Sequence, residues 1–314
     1  MYNQFFLLFS IVFTGFLLRK VSFINAEMNS GLNKFIMYFA YPCLLVYCIG
    51  TLELTFELLK NFIIVLFLST ALLFIYGQCM KRYATITKKK VNESNVFELT
   101  VISTNNGFMG FPIALSFFGE LGLLFMVANN AALSLFVFSY GLVALRRNNE
   151  HNTRFTFAGF VLMIGKLLLN PNILGVAVGI AVCLLRIPID NIVGEYMQMI
   201  GSIATPMAMV FIGSTLAEHS FKEVFKHKIV WEASIIKLFI VPILTIIAVY
   251  FMPADTLVKS ITVLSFVLPT GTVVPMLAEQ EQQNKDLGSR IMFLTTVFSM
   301  GTILLFVEII KYLF

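Results

Sequence analysis

The sequence predicts an all-α integral membrane protein: ten transmembrane helices, folded as two inverted five-helix repeats, with the fourth and ninth helices broken and crossed. Three observations carry this. The composition is too apolar for a soluble globule, ten apolar stretches have membrane-crossing length, and the second half of the chain resembles the first.

Of 314 residues, 58% are hydrophobic, only 12% are charged, and 33 are phenylalanine; mean hydropathy is +0.88. Soluble domains carry about 25% charged residues, so this chain has too little polar material to cover a globule. The same figures exclude disorder, collagen, coiled coil and a disulfide scaffold. The net charge of +5 is no nucleic-acid footprint, because the basic residues fall in short clusters between apolar segments, as in cytoplasmic loops. Cys43, Cys48, Cys79 and Cys183 have no CxxC spacing and read as reduced packing residues. No cofactor, metal or nucleic-acid partner is expected.

A span needs about 20 mostly apolar residues. The first candidate, 4–23, has no positive residue before it, as a secretory signal would, so it is expected to be a retained helix. Segment 32–51 carries an early Pro42, and 62–80 is uninterrupted. Segment 96–118 contains an Asn-, Gly- and Pro-rich stretch; 121–145 carries Asn129 and Asn130. The stretch 155–169 is short, holds Lys166, and is expected to lie along the interface; an eleventh span is the competing reading. Then follow 170–187, 196–217 with Pro206, 229–251 with Lys237, 257–278, and 290–313. The expected domains are a first five-helix repeat over 1–150, a cytoplasmic loop and interfacial helix over 151–169, and a second, inverted repeat over 170–314.

Of the 22 Lys and Arg residues, 17 lie in odd-numbered loops and four in even-numbered loops or the C-terminus. Basic loops stay cytoplasmic, so a multi-pass protein of the cell membrane with both termini outside is expected. Residues 17–53 and 184–218 both read Leu-Leu-Arg, a polar linker, an apolar span with an early proline (Pro42, Pro206), and a closing Glu (Glu53, Glu218). Pro112 and Pro275 likewise each follow a polar, Gly-containing stretch within spans four and nine. Five spans per half is an odd number, so the halves must insert with opposite orientation, the plan of many secondary transporters.

The fourth span reads Thr104-Asn105-Asn106-Gly107-Phe108-Met109-Gly110-Phe111-Pro112, and the ninth Leu268-Pro269-Thr270-Gly271-Thr272-Val273-Val274-Pro275. Proline lacks the backbone donor and clashes with the preceding turn, and glycine lowers the cost of leaving helical geometry. Both spans should break near midplane, where non-helical backbone survives only inside protein or along a wet cavity. Pro112 and Pro275 are expected in the first turn of new half-helices, whose N-termini suit an anion. Asn105, Asn106, Gly107, Pro112, Thr270, Gly271 and Pro275 are therefore candidate substrate-binding positions; a packing kink with Asn as interhelical glue is the other reading.

These residues, with Phe117-Phe118-Gly119-Glu120, Asn170-Pro171, Ala204-Thr205-Pro206, Gly213-Ser214-Thr215-Leu216-Ala217 and Ala278-Glu279, resemble the auxin efflux carrier family, which includes bacterial malate-permease-type carriers and plant PIN exporters. The resemblance covers essentially the whole chain. It implies crossed helices four and nine, a scaffold and a transport domain, export or exchange of small organic anions, and often a homodimer. It also implies that Asn105, seven residues before the crossover proline, helps hold a substrate carboxylate. Pro275 sits one residue later than the PIN proline. Many plant members carry a long cytoplasmic loop between spans five and six; here only 146–169 separates them, so a bacterial-type carrier is expected.

Ionisable residues within a span are costly and default to functional candidates. Lys237 lies roughly 13 Å into its span at 1.5 Å per residue. It could pair a substrate carboxylate, titrate, or serve as a structural cation, with Glu232 as a resting partner. Glu98 and Glu308 read as interfacial. Tyr41 and Thr205, at equivalent repeat positions, could line the cavity; Asn129 could face the site or bind neighbouring helices. The expected function is a secondary active carrier of a small organic anion such as malate, coupled to protons or membrane potential. A sodium-coupled symporter of bile-acid type, or an exporter of auxin-like aromatic acids, is the alternative. No catalytic constellation appears, so an enzyme is not expected, and no span has the full-length polar stripe of a channel.

Overall fold

The structure, a computed structural model, describes residues 2–53, 55–147, 165, 168–189, 191–218 and 224–314. Every regular element among them is helical. In chain order these are α1 (Tyr2–Lys20), α2 (Ala26–Phe35), α3 (Tyr41–Gly50), α4 (Phe56–Ile86), α5 (Val91–Ile102), α6 (Phe111–Phe136), α7 (Leu142–Arg146), α8 (Pro171–Leu184), α9 (Ile192–Leu216), α10 (Lys228–Ile235), α11 (Val241–Tyr250), α12 (Thr256–Val267), α13 (Val273–Gln280) and α14 (Lys285–Leu313). Asparagine or aspartate opens many of them. The side chains of Asn25, Asn170, Asn191, Asp255 and Asn284 each accept from a backbone N–H of the first turn, satisfying a donor the helix itself cannot.

Among the described residues, seven helical stretches are long and apolar enough to cross a bilayer: Tyr2–Lys20, Ala26–Gly50, Phe56–Ile86, Glu93–Arg146, Ile192–Leu216, Lys228–Tyr250 and Lys285–Leu313. Seven is fewer than the ten apolar segments for physical reasons. Glu93–Arg146 covers two segments, interrupted after Ile102 and turned again at Gly119, where φ is 66° and ψ −160°. Pro171–Leu184, at 14 residues, reaches about 21 Å, less than the roughly 30 Å hydrocarbon core. Segment 257–278 is split into α12 and α13, each too short alone. The interfacial helix expected over 155–169 lies outside the described residues, apart from Gly165, Leu168 and Leu169.

Among the described residues, four wide π turns interrupt the helices, at Ile36–Ala40, Asn106–Gly110, Val137–Gly141 and Ile236–Ile240. Three of them end two residues before a proline: Pro42, Pro112 and Pro242. The proline ring collides with the carbonyl four residues back and has no N–H to give it. Widening the turn so that bonds skip five residues relieves the collision. Tyr41 N accordingly donates to Ile36 O, Gly110 N to Asn105 O, and Val241 N to Ile236 O. Pro206 has no such turn and sits inside continuous α9, so Pro42 and Pro206, matched in the sequence comparison, differ in local geometry.

The chain gathers into two compact units, and each draws on both halves of the sequence. The first comprises Met1–Phe62, Phe111–Leu124 and Gly165–His219; the second comprises Ile63–Gly110, Phe125–Ile164 and Ser220–Phe314. In the first, α1 packs along α9, and α3 packs on α8 and α9. A Cβ on Gly213 would lie 1.9 Å from Val12 O, and one on Gly15 2.2 Å from Val210 O. Backbones this close are a common way for helices to associate in lipid, where van der Waals packing replaces the hydrophobic drive. Gly213→Leu should therefore destabilise the fold by about 3 kcal/mol or more, seen as loss of a monodisperse peak and a lowered melting temperature in detergent. In the second unit, α14 is the central element and packs on α5, α10, α12 and α13.

The ion pairs follow the loop numbering. Arg19 pairs with Glu218 at 2.9 Å in the first unit. In the second, Lys89 pairs with Glu232 at 2.7 Å, Arg146 with Glu281 at 2.6 Å, Arg147 with Glu98 at 3.2 Å, and Lys285 with Glu279 at 2.5 Å. Every one joins residues in or beside odd-numbered loops.

Candidate functional site

The second unit brings the two predicted breaks into contact. Ser103 leaves α5 with extended backbone (φ −65°, ψ 135°), and Leu268 leaves α12 likewise (φ −64°, ψ 150°). Non-helical backbone in lipid must have its polar groups satisfied, and the breaks do this for one another. Asn105 N donates to Pro269 O at 2.9 Å. Thr270 Oγ1 donates to Thr100 O at 2.8 Å, and Thr270 N donates to Thr295 Oγ1 at 3.2 Å. Gly271 lies so close to the first break that a Cβ there would be 2.8 Å from Thr104 O.

Asn106 opens the helical turn that leads into α6. It is 1% exposed. Its Oδ1 accepts from Thr104 Oγ1 and from Ser265 Oγ, both at 2.9 Å. Its Nδ2 has no partner among the described residues. A buried amide donor without an acceptor costs about 1–3 kcal/mol, and a native structure that leaves one calls for an explanation. Beside it, Gly107 is half-buried with open space where a Cβ would be. The first N–H groups of a helix have no intrahelical acceptors and carry partial positive charge. Asn105, 5% exposed, accepts from Met109 N and Gly110 N through its carbonyl.

Other predicted residues have definite places. Pro275 is the third residue of α13, in its first turn as expected. Pro112 is the second residue of α6, in its first turn as expected, and the π turn Asn106–Gly110 lies between the break and α6. The hydroxyl proton of Thr270 is committed to Thr100 O, so this side chain joins the breaks. Asn129 accepts from Ser69 Oγ and donates to Phe125 O at 3.1 Å, the interhelical and intrahelical bonding of a packing residue. Tyr41, Pro112 and Thr205 belong to the first unit. Tyr41 is fully buried, stands edge-on to Phe111 at 5.1 Å between ring centres, and its hydroxyl has no partner among the described residues. Thr205 is half-buried.

Lys237 is fully buried, and its Nζ lies 3.4 Å from Ile102 O, at the carboxyl end of α5. Glu232 is not its partner: it takes Lys89 and Tyr83, each at 2.7 Å. Glu98, expected at an interface, is instead 1% exposed and bonded to Tyr140 and Arg147. The sequence reading missed Thr100, Thr104, Ser265 and Thr295. The signal available was small hydroxyl residues flanking each break, but such residues also bond their own helix backbone and give no distinct pattern.

An apolar chain whose described elements are all helical, with two helices broken and bonded to each other, fits a membrane transporter. The model for membrane transport proteins matches residues 1–307, and the chain belongs to that family, the auxin efflux carrier family. The chain is also similar to an uncharacterized transporter of Methanothermobacter thermautotrophicus, 23% identical over 297 residues that make up 92% of each chain.

Proposed function

We propose that this transporter is a secondary active carrier of a small organic anion, a mono- or dicarboxylate such as malate, working by alternating access. In this reading the chain crosses the cell membrane ten times as two inverted halves, 1–150 and 170–314, with both termini outside. The ion pairs that join only odd-numbered loops support placing those loops on one face. The observation that carries the substrate class is the unpartnered Asn106 Nδ2 at the start of a half-helix, beside the open space at Gly107. A carboxylate is acceptor-only. It would take one bond from this amide, a second from Asn105, and the favourable end of the helix dipole. Thr270 and Gly271 hold the crossing, and Pro112 and Pro275 fix the half-helices behind it. Protons or membrane potential would drive the cycle.

Counterflow of labelled L-malate in proteoliposomes tests this, since counterflow requires a carrier cycle but no driving ion. Uptake above empty liposomes, competed by unlabelled carboxylates, is expected. Asn105→Ala should lower that uptake about tenfold, the worth of one charge-assisted hydrogen bond, at unchanged expression. Unchanged malate flux in this variant would remove Asn105 from the site.

A further inference from the structure

Lys237 places an amine inside the second unit, and among the described residues no carboxylate pairs with it. Burying a lone charge costs several kcal/mol, and a leucine or methionine would fill the same volume without that cost. What faces the ammonium is the carboxyl end of α5. Ile102 is the last residue of that helix, and its carbonyl oxygen lies 3.4 Å from Nζ. The last carbonyls of a helix lack intrahelical donors and carry partial negative charge. The chain then starts a new helical turn at Asn106, only four residues on. A negative helix end and an anion-binding amide therefore lie within one short break. Left uncompensated, those carbonyls would repel a bound carboxylate.

We infer that the Lys237 ammonium is a tethered monovalent cation: it occupies a cation site formed by the carboxyl end of α5 and offsets the helix-end charge beside the bound anion. This rests on the anion-carrier reading. Lys237 acts as a positioning residue, because it touches the helix end rather than the substrate. Two consequences follow. The wild-type protein needs no alkali cation, since the site is already filled. Truncating the side chain leaves a vacant site that a small cation of the medium can enter.

The test compares wild-type protein with Lys237→Ala, which vacates the site, and Lys237→Gln, which fills it with a neutral group. L-malate counterflow and thermal unfolding in detergent are measured in choline, sodium and methylammonium media. Wild-type flux and melting temperature should be the same in all three. Lys237→Ala should lose about tenfold in choline and recover about threefold or more in methylammonium or sodium. Its melting temperature should rise by about 3 °C with either small cation, as binding to the folded state requires. Lys237→Gln should lose flux and show no recovery. Wild-type dependence on sodium, wild-type flux of either variant in choline, or a folded Lys237→Ala indifferent to every cation would each overturn the inference. If Lys237→Ala does not fold, Lys237→Gln decides by its flux in choline. If wild-type protein carries no malate in any medium, the substrate assignment fails by itself, and the cation-dependent melting of Lys237→Ala still reads the site.

Discussion

Asn106→Ala is expected to reduce carboxylate exchange by about 10- to 150-fold, with the amount of folded protein nearly unchanged. A hydrogen bond to a charged group is worth about 1.5–3 kcal/mol, and each 1.4 kcal/mol is a factor of ten. The amide is 1% exposed, its oxygen is held by Thr104 and Ser265, and its Nδ2 is directed at no protein acceptor among the described residues. Removing it takes away a donor that is already oriented; Thr104 and Ser265 also lose their shared acceptor, which should lower the melting temperature without preventing folding. Asn106→Asp sharpens the test. An acceptor-only carboxylate at the same place repels an anion, so exchange should fall below that of the alanine variant. Counterflow with labelled malate reads both; an Asn106→Asp protein that exchanges carboxylates at the wild-type rate would exclude anion binding at this amide.

The second large effect is expected at Gly271. A methyl group there must sit 2.8 Å from Thr104 O, and backbone on both sides of the contact leaves no flexible side chain to yield. The two chains would have to separate, straining the Asn105–Pro269 and Thr270–Thr100 bonds, each worth about 1 kcal/mol, on top of an overpacking cost of about 1–3 kcal/mol. Gly271→Ala should therefore lower the melting temperature in detergent and abolish exchange together. Gly107→Ala is the matched control, because its methyl enters open space; it should leave the melting temperature within a degree or two. Equal stability of the two variants would show that the contact between the two breaks does not depend on the close approach at Gly271.

The breaks were legible because their chemistry is local. Proline in an apolar run cannot continue the bonding ladder, and Asn-Asn-Gly and Pro-Thr-Gly mark where the chain leaves the helix, so residue type alone located the breaks after Ile102 and Val267 to within a few positions. The same holds for the membrane class. Partner choice was not local. Asn105, Asn106 and Asn129 are the same residue type in similar surroundings, yet Asn129 spends both polar groups on Ser69 and Phe125 while Asn106 Nδ2 has no partner among the described residues. Glu232 lay nearest Lys237 in sequence but pairs with Lys89, and Glu98 is buried under Tyr140 and Arg147 where sequence position suggested an interface. The π turn that separates the break from Pro112 depends on how the widened backbone packs.

By itself, then, the sequence determined the helical membrane class and the positions of the breaks, because hydrophobicity and backbone chemistry act over a few neighbouring residues. Only the tertiary structure decided that the two breaks bond to each other, that Thr270 joins them, and that Lys237 faces the end of α5. Those outcomes depend on which of many equivalent polar groups the packing brings within about 3 Å, and residues more than a hundred positions apart in the chain settle it.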